Sequence, residues 1–338
     1  MVIPPRLQDL LSSRKKIVAT SHHNPDGDAI GSVLAMYHFL DLMGHQVRAM
    51  VPNAFPDFLS WMPGASDILL YDKNREQCEA LIMDAEIIFC LDYNAFHRAS
   101  LLEGALIRAK GVKVMIDHHP EPKKEDFDFL FSRVETSSTG ELIYDFIMAM
   151  DGASFLNLDV ATGIYVGIMT DTGSFSYSCN HASTYRIVAD LLQYGLDAGS
   201  IHRLVYDTFS ESRLRLLGYC LSEKLVVLPE YATAYIALSQ EELLNFNYKV
   251  GDTEGVVNYA LSIKGIVLAA FMTEREDKIR LSFRSKGDFS VNDLARKHFA
   301  GGGHKNAAGG DSYDTLDKTI QAFESLLPQY QEALIKNT

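Results

Sequence analysis

Cysteine is scarce in this sequence: four residues, Cys78, Cys90, Cys179 and Cys220, stand far apart and form no CxxC pair. That spacing excludes a disulfide scaffold and a thiolate zinc site, and it leaves the four as buried apolar side chains. No apolar run approaches the roughly 18 to 20 residues that cross a bilayer, and the N-terminal MVIPPRLQDLLSSRKK lacks a signal-like apolar core. A soluble cytoplasmic protein without a membrane partner is expected. Positive charge is also short, since 31 Lys and Arg face 44 Asp and Glu for a net charge of −13. Such a balance argues against coating long nucleic acid, but it allows a small, locally basic pocket for a nucleotide-sized ligand. Repeats and low-complexity segments are absent too. What is there, 47% hydrophobic and 22% charged residues over 338 positions, suffices for two ordinary domains with real cores.

From Lys15 to about Pro120, short apolar runs alternate with helical ones. KKIVAT reads as a strand, and DAIGSVLAMYHFLDLMG places Ile30, Val33, Leu34, Tyr37 and Leu40 on one helical face before Gly44. HQVRAMV, EIIFCLDY and VKVMIDHH are further strand-like runs, the last two separated by the helical FHRASLLEGALIRAKG. Strand, helix, strand, helix predicts an α/β fold with a parallel, doubly wound sheet, whose ligands gather at the carboxyl ends of the strands. Those ends are SHHNPDGD, LDYN and IDHHP, each rich in Asp, His or both.

The first of these has the form H-x-x-P-D-x-D at His22, Pro25, Asp26 and Asp28. Asp26 and Asp28 could face two neighbouring cations with His22 joining the first, or the stretch could be an Asx-rich turn capping the next helix. Asp92 ends a buried run and alone would suit a helix cap. Asp117, His118 and His119 follow a wholly apolar strand, where two adjacent imidazoles must each find polar partners. Asp171, in IMTDTGSF, follows an apolar helix. Converging carboxylates and imidazoles would repel one another, and divalent ions would neutralise them, activate a shared water and hold phosphoryl oxygens. Mixed His and Asp ligands without thiolate suit Mn, with Mg, Co or Zn as substitutes.

HHNPDGD, LD, DHH and TDTG, in this order, resemble the DHH phosphoesterases, and the C-terminal RSK and GGGHKNAAGG resemble the DHHA1 domain of one branch. The resemblance runs over essentially the whole chain and implies a two-domain α/β protein. Its parts would be a DHH catalytic domain over residues 1–195, a helical linker over 196–228 and a smaller, mixed-sheet DHHA1 substrate-binding domain over 229–338. It implies two Mn2+ ions, one held by His22, Asp26 and Asp92 and the other by Asp28, Asp92, His118 and Asp171, with Asp92 bridging. Asp117 would orient His118, and His119 would face the substrate phosphate.

In the second half, KIRLSFRSK sets Ile279, Leu281 and Phe283 on one strand face and basic residues on the other. Lys278 to Lys305 contains seven Lys or Arg against Asp288 and Asp293, which is either a solvated face or a phosphate reader. Gly302, Gly303 and His304, before a short helical or turn segment, could bring backbone N–H groups to a phosphate, with Arg284 and Ser285 beside them; a flexible linker would look similar. Arg98 could hold the phosphate or sit on a helix surface. The resemblance further implies the nano-RNase type, acting on short RNA oligonucleotides and on pAp, without long duplex substrates, and it admits a homodimer. Alternatives are a phosphodiesterase for linear or cyclic dinucleotide messengers, a RecJ-like single-strand exonuclease, and a non-catalytic nucleotide-binding protein.

Overall fold

The structure, a computed structural model, describes residues 1–176 and 179–337. The chain forms two compact units, Met1–Thr208 and Phe209–Thr338. No helix among the described residues is long and apolar enough to cross a membrane.

In the first unit, short α1 (Pro5–Leu11) precedes β1 (Lys16–Thr20), α2 (Gly27–Leu42), β2 (Gln46–Val51), β3 (Leu69–Leu70), α3 (Arg75–Asp84) and β4 (Ile87–Leu91). A 3-10 segment, Phe96–Leu102, and α4 (Glu103–Arg108) lead to β5 (Val112–Asp117) and β6 (Phe129–Ser132). Four helices then follow: α5 (Thr139–Ala149), α6 (Leu158–Asp171), α7 (Ala182–Leu191) and α8 (Ala198–Tyr206). The six strands are all parallel, in the order β3-β2-β1-β4-β5-β6. Residue alternation covers both faces: Ile17, Ala19, Phe89 and Ile116 enter one core, while Val18, Ile88, Cys90 and Met115 enter the other. Strands β3 and β6 add to the sheet foreseen from the sequence. The first is two residues long and the second lies on an edge, so neither carries a long apolar signal.

Helices α2 and α6 pack closely through glycine. A Cβ on Gly31 would stand 2.5 Å from the Gly163 carbonyl oxygen and 2.9 Å from the Gly167 nitrogen, and one on Gly163 would stand 2.7 Å from the Gly31 oxygen. Gly31 and Gly163 therefore mark where the two backbones meet, while Gly27 leaves room for the Thr170 side chain and Gly167 for Asp28.

The second unit holds α9 (Glu211–Glu223), β7 (Leu225–Leu228), β8 (Thr233–Leu238), α10 (Gln240–Asn245), α11 (Val256–Leu261), β9 (Leu268–Glu274), β10 (Ile279–Ser285), α12 (Val291–His298), β11 (Gly302–His304), β12 (Ala307–Ser312) and α13 (Leu316–Ile335). Its sheet, in the order β11-β12-β10-β9-β8-β7, is mixed: β8 and β9 are parallel and the other pairs antiparallel. The expected helical linker, 196–228, is divided between the units: Ile201 and Val205 of α8 join the first core, and Leu216 and Cys220 of α9 join a core of the second. All four cysteines are free and buried.

Candidate metal centre

The sheet order places a topological switch between β1 and β4, because the chain runs outward to β3 and then returns to the other side of β1. Connections leave those two strands in opposite directions and open a crevice at their carboxyl ends. The segment after β1 brings His22, Asp26 and Asp28 there, β4 delivers Asp92, and β5 delivers Asp117, His118 and His119. Asp92 has φ 64°, a left-handed conformation that ends the strand abruptly and is tolerated better by Asp than by most residues. Asp171, the last residue of α6, reaches the same place: its Oδ2 is 3.2 Å from His118 Nε2.

Ligand-type atoms of His22, Asp26 and Asp92 lie within 4.8 Å of one another, and so do those of Asp28, Asp92 and His118, and those of Asp92, Asp117 and His119. Asp92 is common to all three groups, and its two oxygens face different neighbours. Oδ2 is 3.3 Å from His22 Nε2, whereas Oδ1 is 3.6 Å from His118 Nε2. Asp26 also caps α2, accepting the Ala29 amide through Oδ1 at 3.1 Å, so the capping and ligand readings of its sequence coexist.

Two features fit cations in these groups. The His22 Nδ1 donates to the His23 carbonyl at 2.9 Å, so in the neutral ring the Nε2 lone pair points at the Asp92 carboxylate. Burial opposes charge on His22, but its hydrogen bond to Asp92 and the charges of Asp26 and Asp92 outweigh that and raise its pKa, so either a proton or a metal cation on Nε2 satisfies the pair. Asp28, 1% exposed, has its pKa raised well above the usual range by burial and by the charges of Asp92 and Asp26. Burial acts on Asp92 in the same sense, but the His22 hydrogen bond and the charges of His119, His22 and His118 outweigh it and hold that carboxyl far below the usual range. The fold thus gathers acids whose mutual repulsion is relieved by protonation, by the Thr139 and Gly140 amides on Asp28, or by cationic partners. His118 is pushed down, chiefly by burial, which keeps a neutral imidazole available as a ligand.

Asp117, expected from the sequence to orient His118, instead accepts from His119 Nδ1 at 2.7 Å. Residues two apart in extended chain point the same way, which pairs 117 with 119. The other Asp117 oxygen is buried without a hydrogen-bond partner. Arg98 lies in the 3-10 segment; its carbonyl accepts the His23 amide at 2.8 Å, and its charge opposes protonation of His22.

The sequence did not point to the N-terminus of α5. The Thr139 amide donates to Asp28 Oδ2 at 2.6 Å, the Gly140 amide to Asp28 Oδ1 at 2.9 Å, and the Thr139 hydroxyl to Asp92 Oδ1 at 2.8 Å. Glu141 is buried and accepts from Ser137, Ser183 and Thr184, which ties this turn to α7.

In the second unit β10 alternates as expected, with Ile279, Leu281 and Phe283 buried and Arg280 exposed. Ser285 follows the buried register. Its hydroxyl donates to the Phe289 carbonyl at 2.6 Å and accepts from Asn306 Nδ2 at 2.9 Å, so it braces a loop. Arg284 lies on the other face. Gly302, Gly303 and His304 form strand β11, in a hairpin with β12 where a helical or turn segment was expected. The close strand approach explains part of the glycine content: a Cβ on Gly301 would stand 2.0 Å from the Gly309 oxygen. The Gly303 amide donates to Asn292 Oδ1 at 2.9 Å.

A doubly wound sheet with clustered His and Asp at its switch point is the architecture of a metal-dependent hydrolase. Comparison with known proteins narrows that class: the chain belongs to the DHH phosphoesterase family, with residues 16–168 matching the DHH family N-terminal domain and 229–333 the DHHA1 domain. It is similar to the bifunctional oligoribonuclease and PAP phosphatase NrnA of Bacillus subtilis, 31% identical over 225 residues covering 65% of this chain and 70% of the relative. The probable bifunctional oligoribonuclease and PAP phosphatase NrnA of Streptococcus mutans is 29% identical over 304 residues, 89% of this chain and 91% of the relative. A crystal structure of an exopolyphosphatase-related protein from Bacteroides fragilis is 45% identical with a TM-score of 0.93, covering 98% of this chain and 96% of that one.

Proposed function

We propose that this phosphoesterase hydrolyses short oligoribonucleotides to mononucleotides and pAp to AMP, using two Mn2+ ions. The observation that carries the reading is the pair of adjoining ligand groups, His22/Asp26/Asp92 and Asp28/Asp92/His118, which share one carboxylate. Asp171, beside His118, completes the second. Divalent ions held there would supply positive charge to the phosphoryl oxygens and lower the pKa of water. The substrates come from the names of the B. subtilis and S. mutans relatives.

The chain's own residues do the rest. His119, oriented by the hydrogen bond between its Nδ1 and Asp117, faces the substrate phosphate. Arg98 adds a positive charge on the His22 side of the centre. A water oxygen bonds to phosphorus, the bond from phosphorus to the ribose oxygen breaks, and a proton ends on the departing hydroxyl. In the second unit, Arg284, Gly302, Gly303 and His304 hold the nucleotide.

The test is a side-by-side rate panel with Mn2+: pAp, RNA di- to pentanucleotides, a long single-stranded RNA, cyclic di-AMP, pyrophosphate and inorganic polyphosphate. Short RNA and pAp should turn over fastest, and Asp92→Ala should abolish both. Preference for cyclic di-AMP or polyphosphate would overturn the substrate assignment. Hydrolysis that survives Asp92→Ala would overturn the site.

A further inference from the structure

The α5 N-terminus touches two of the proposed ligands at once, and Thr139 is the residue that joins them. Its amide binds Asp28 Oδ2 and its hydroxyl binds Asp92 Oδ1. Asp28 Oδ1 is occupied by the Gly140 amide and by the Ser32 hydroxyl at 3.3 Å. These bonds settle the rotation of both carboxylates. They turn Asp28 Oδ2 toward His118 Nε2, 3.9 Å away, and direct Asp92 Oδ2 to His22 and Oδ1 to His118. Thr139 is fully buried, so no solvent competes for its hydroxyl.

The turn is itself fixed. Ser138 caps α5 by accepting the Glu141 amide at 3.2 Å, and Glu141 accepts from Ser137, Ser183 and Thr184, including 2.8 Å bonds from the Ser137 and Thr184 hydroxyls. Glycine at 140 permits the approach, because a Cβ there would stand 3.0 Å from the Ile164 oxygen and 3.3 Å from Asp28 Oδ1.

We infer that Thr139 is a positioning residue for the metal centre, its hydroxyl fixing Asp92 so that one carboxylate serves both ligand groups. The inference rests on the metal-centre reading above. Outer hydrogen bonds of this kind typically change metal affinity 10- to 100-fold. Thr139→Val keeps the branched shape and removes the donor, whereas Thr139→Ser keeps the donor and removes the methyl.

Mn2+ affinity measured by the electron paramagnetic resonance signal of free Mn2+, without substrate, separates the outcomes. The expected result is binding weakened about 10- to 100-fold in Thr139→Val and restored to within about threefold of wild type in Thr139→Ser. Equal affinity in wild type and Thr139→Val overturns the inference and leaves the metal centre standing. Absence of Mn2+ binding by wild type overturns the metal centre itself. If Thr139→Val fails to fold, Thr139→Ala against Thr139→Ser asks the same question, and equal affinity in that pair also overturns the inference.

Discussion

Replacing Gly31 by alanine tests whether the glycine contact between α2 and α6 sets the spacing of the centre. In an ordinary helix interior the change would stabilise by about 1 kcal/mol, because alanine is the better helix former. Here the new methyl would stand 2.5 Å from the Gly163 oxygen and 2.9 Å from the Gly167 nitrogen, both main-chain atoms that cannot rotate away. The helices must separate, and overpacking costs about 1–3 kcal/mol, with the upper end fitting rigid obstacles. The net loss is about 2 kcal/mol, or a melting temperature about 4–8 °C lower for a unit of this size. Since α2 carries Asp28 and α6 carries Asp171, the same movement should weaken metal binding. Gly218→Ala in α9 is the control: nothing lies within 4 Å of its added Cβ, so it should stabilise the second unit by about 1 kcal/mol. Differential scanning calorimetry measures both, with added Mn2+ identifying the first unit's transition. Stabilisation by Gly31→Ala as large as that by Gly218→Ala would refute the reasoning.

Mn2+ at about a hundredfold over its dissociation constant should stabilise the first unit by about 2.7 kcal/mol, read as a rise in its melting temperature that a chelator reverses. Ser285→Ala should cost the second unit about 1–3 kcal/mol in urea unfolding through two lost buried hydrogen bonds, whereas Arg284→Ala should raise KM. The pKa of Glu242 is lowered, because bonds from Lys224, Tyr219 and the Ser239 amide outweigh its burial. Its stabilisation is therefore fully present above the ordinary glutamate pKa and is lost as pH falls through the depressed one. Glu242→Gln should be less stable than wild type near neutrality, with the gap closing in melts taken at progressively lower pH; a gap that stays constant would contradict this.

Much of the centre was legible because its residues stand where apolar runs stop. Asp92 follows a fully buried strand, and Asp117 ends another just before His118 and His119, so a one-dimensional pattern marked a three-dimensional edge. Thr139 and Gly140 carried no such mark, since a Ser/Thr cluster before a helix reads equally as a cap, and Ser138 does cap α5. The pairing of Asp117 with His119, and the inward turn of Ser285, both follow from two-residue alternation applied beyond the apolar positions. The hairpin at Gly302–His304 was obscured because glycine serves close strand contact and phosphate approach alike.

Anomalous diffraction from crystals soaked in Mn2+ addresses the centre most directly. Two peaks roughly 3.5–4 Å apart are expected, one beside His22, Asp26 and Asp92 and the other beside Asp28, Asp92, His118 and Asp171. A cluster without anomalous density, while ions bind elsewhere on the chain, would contradict the account.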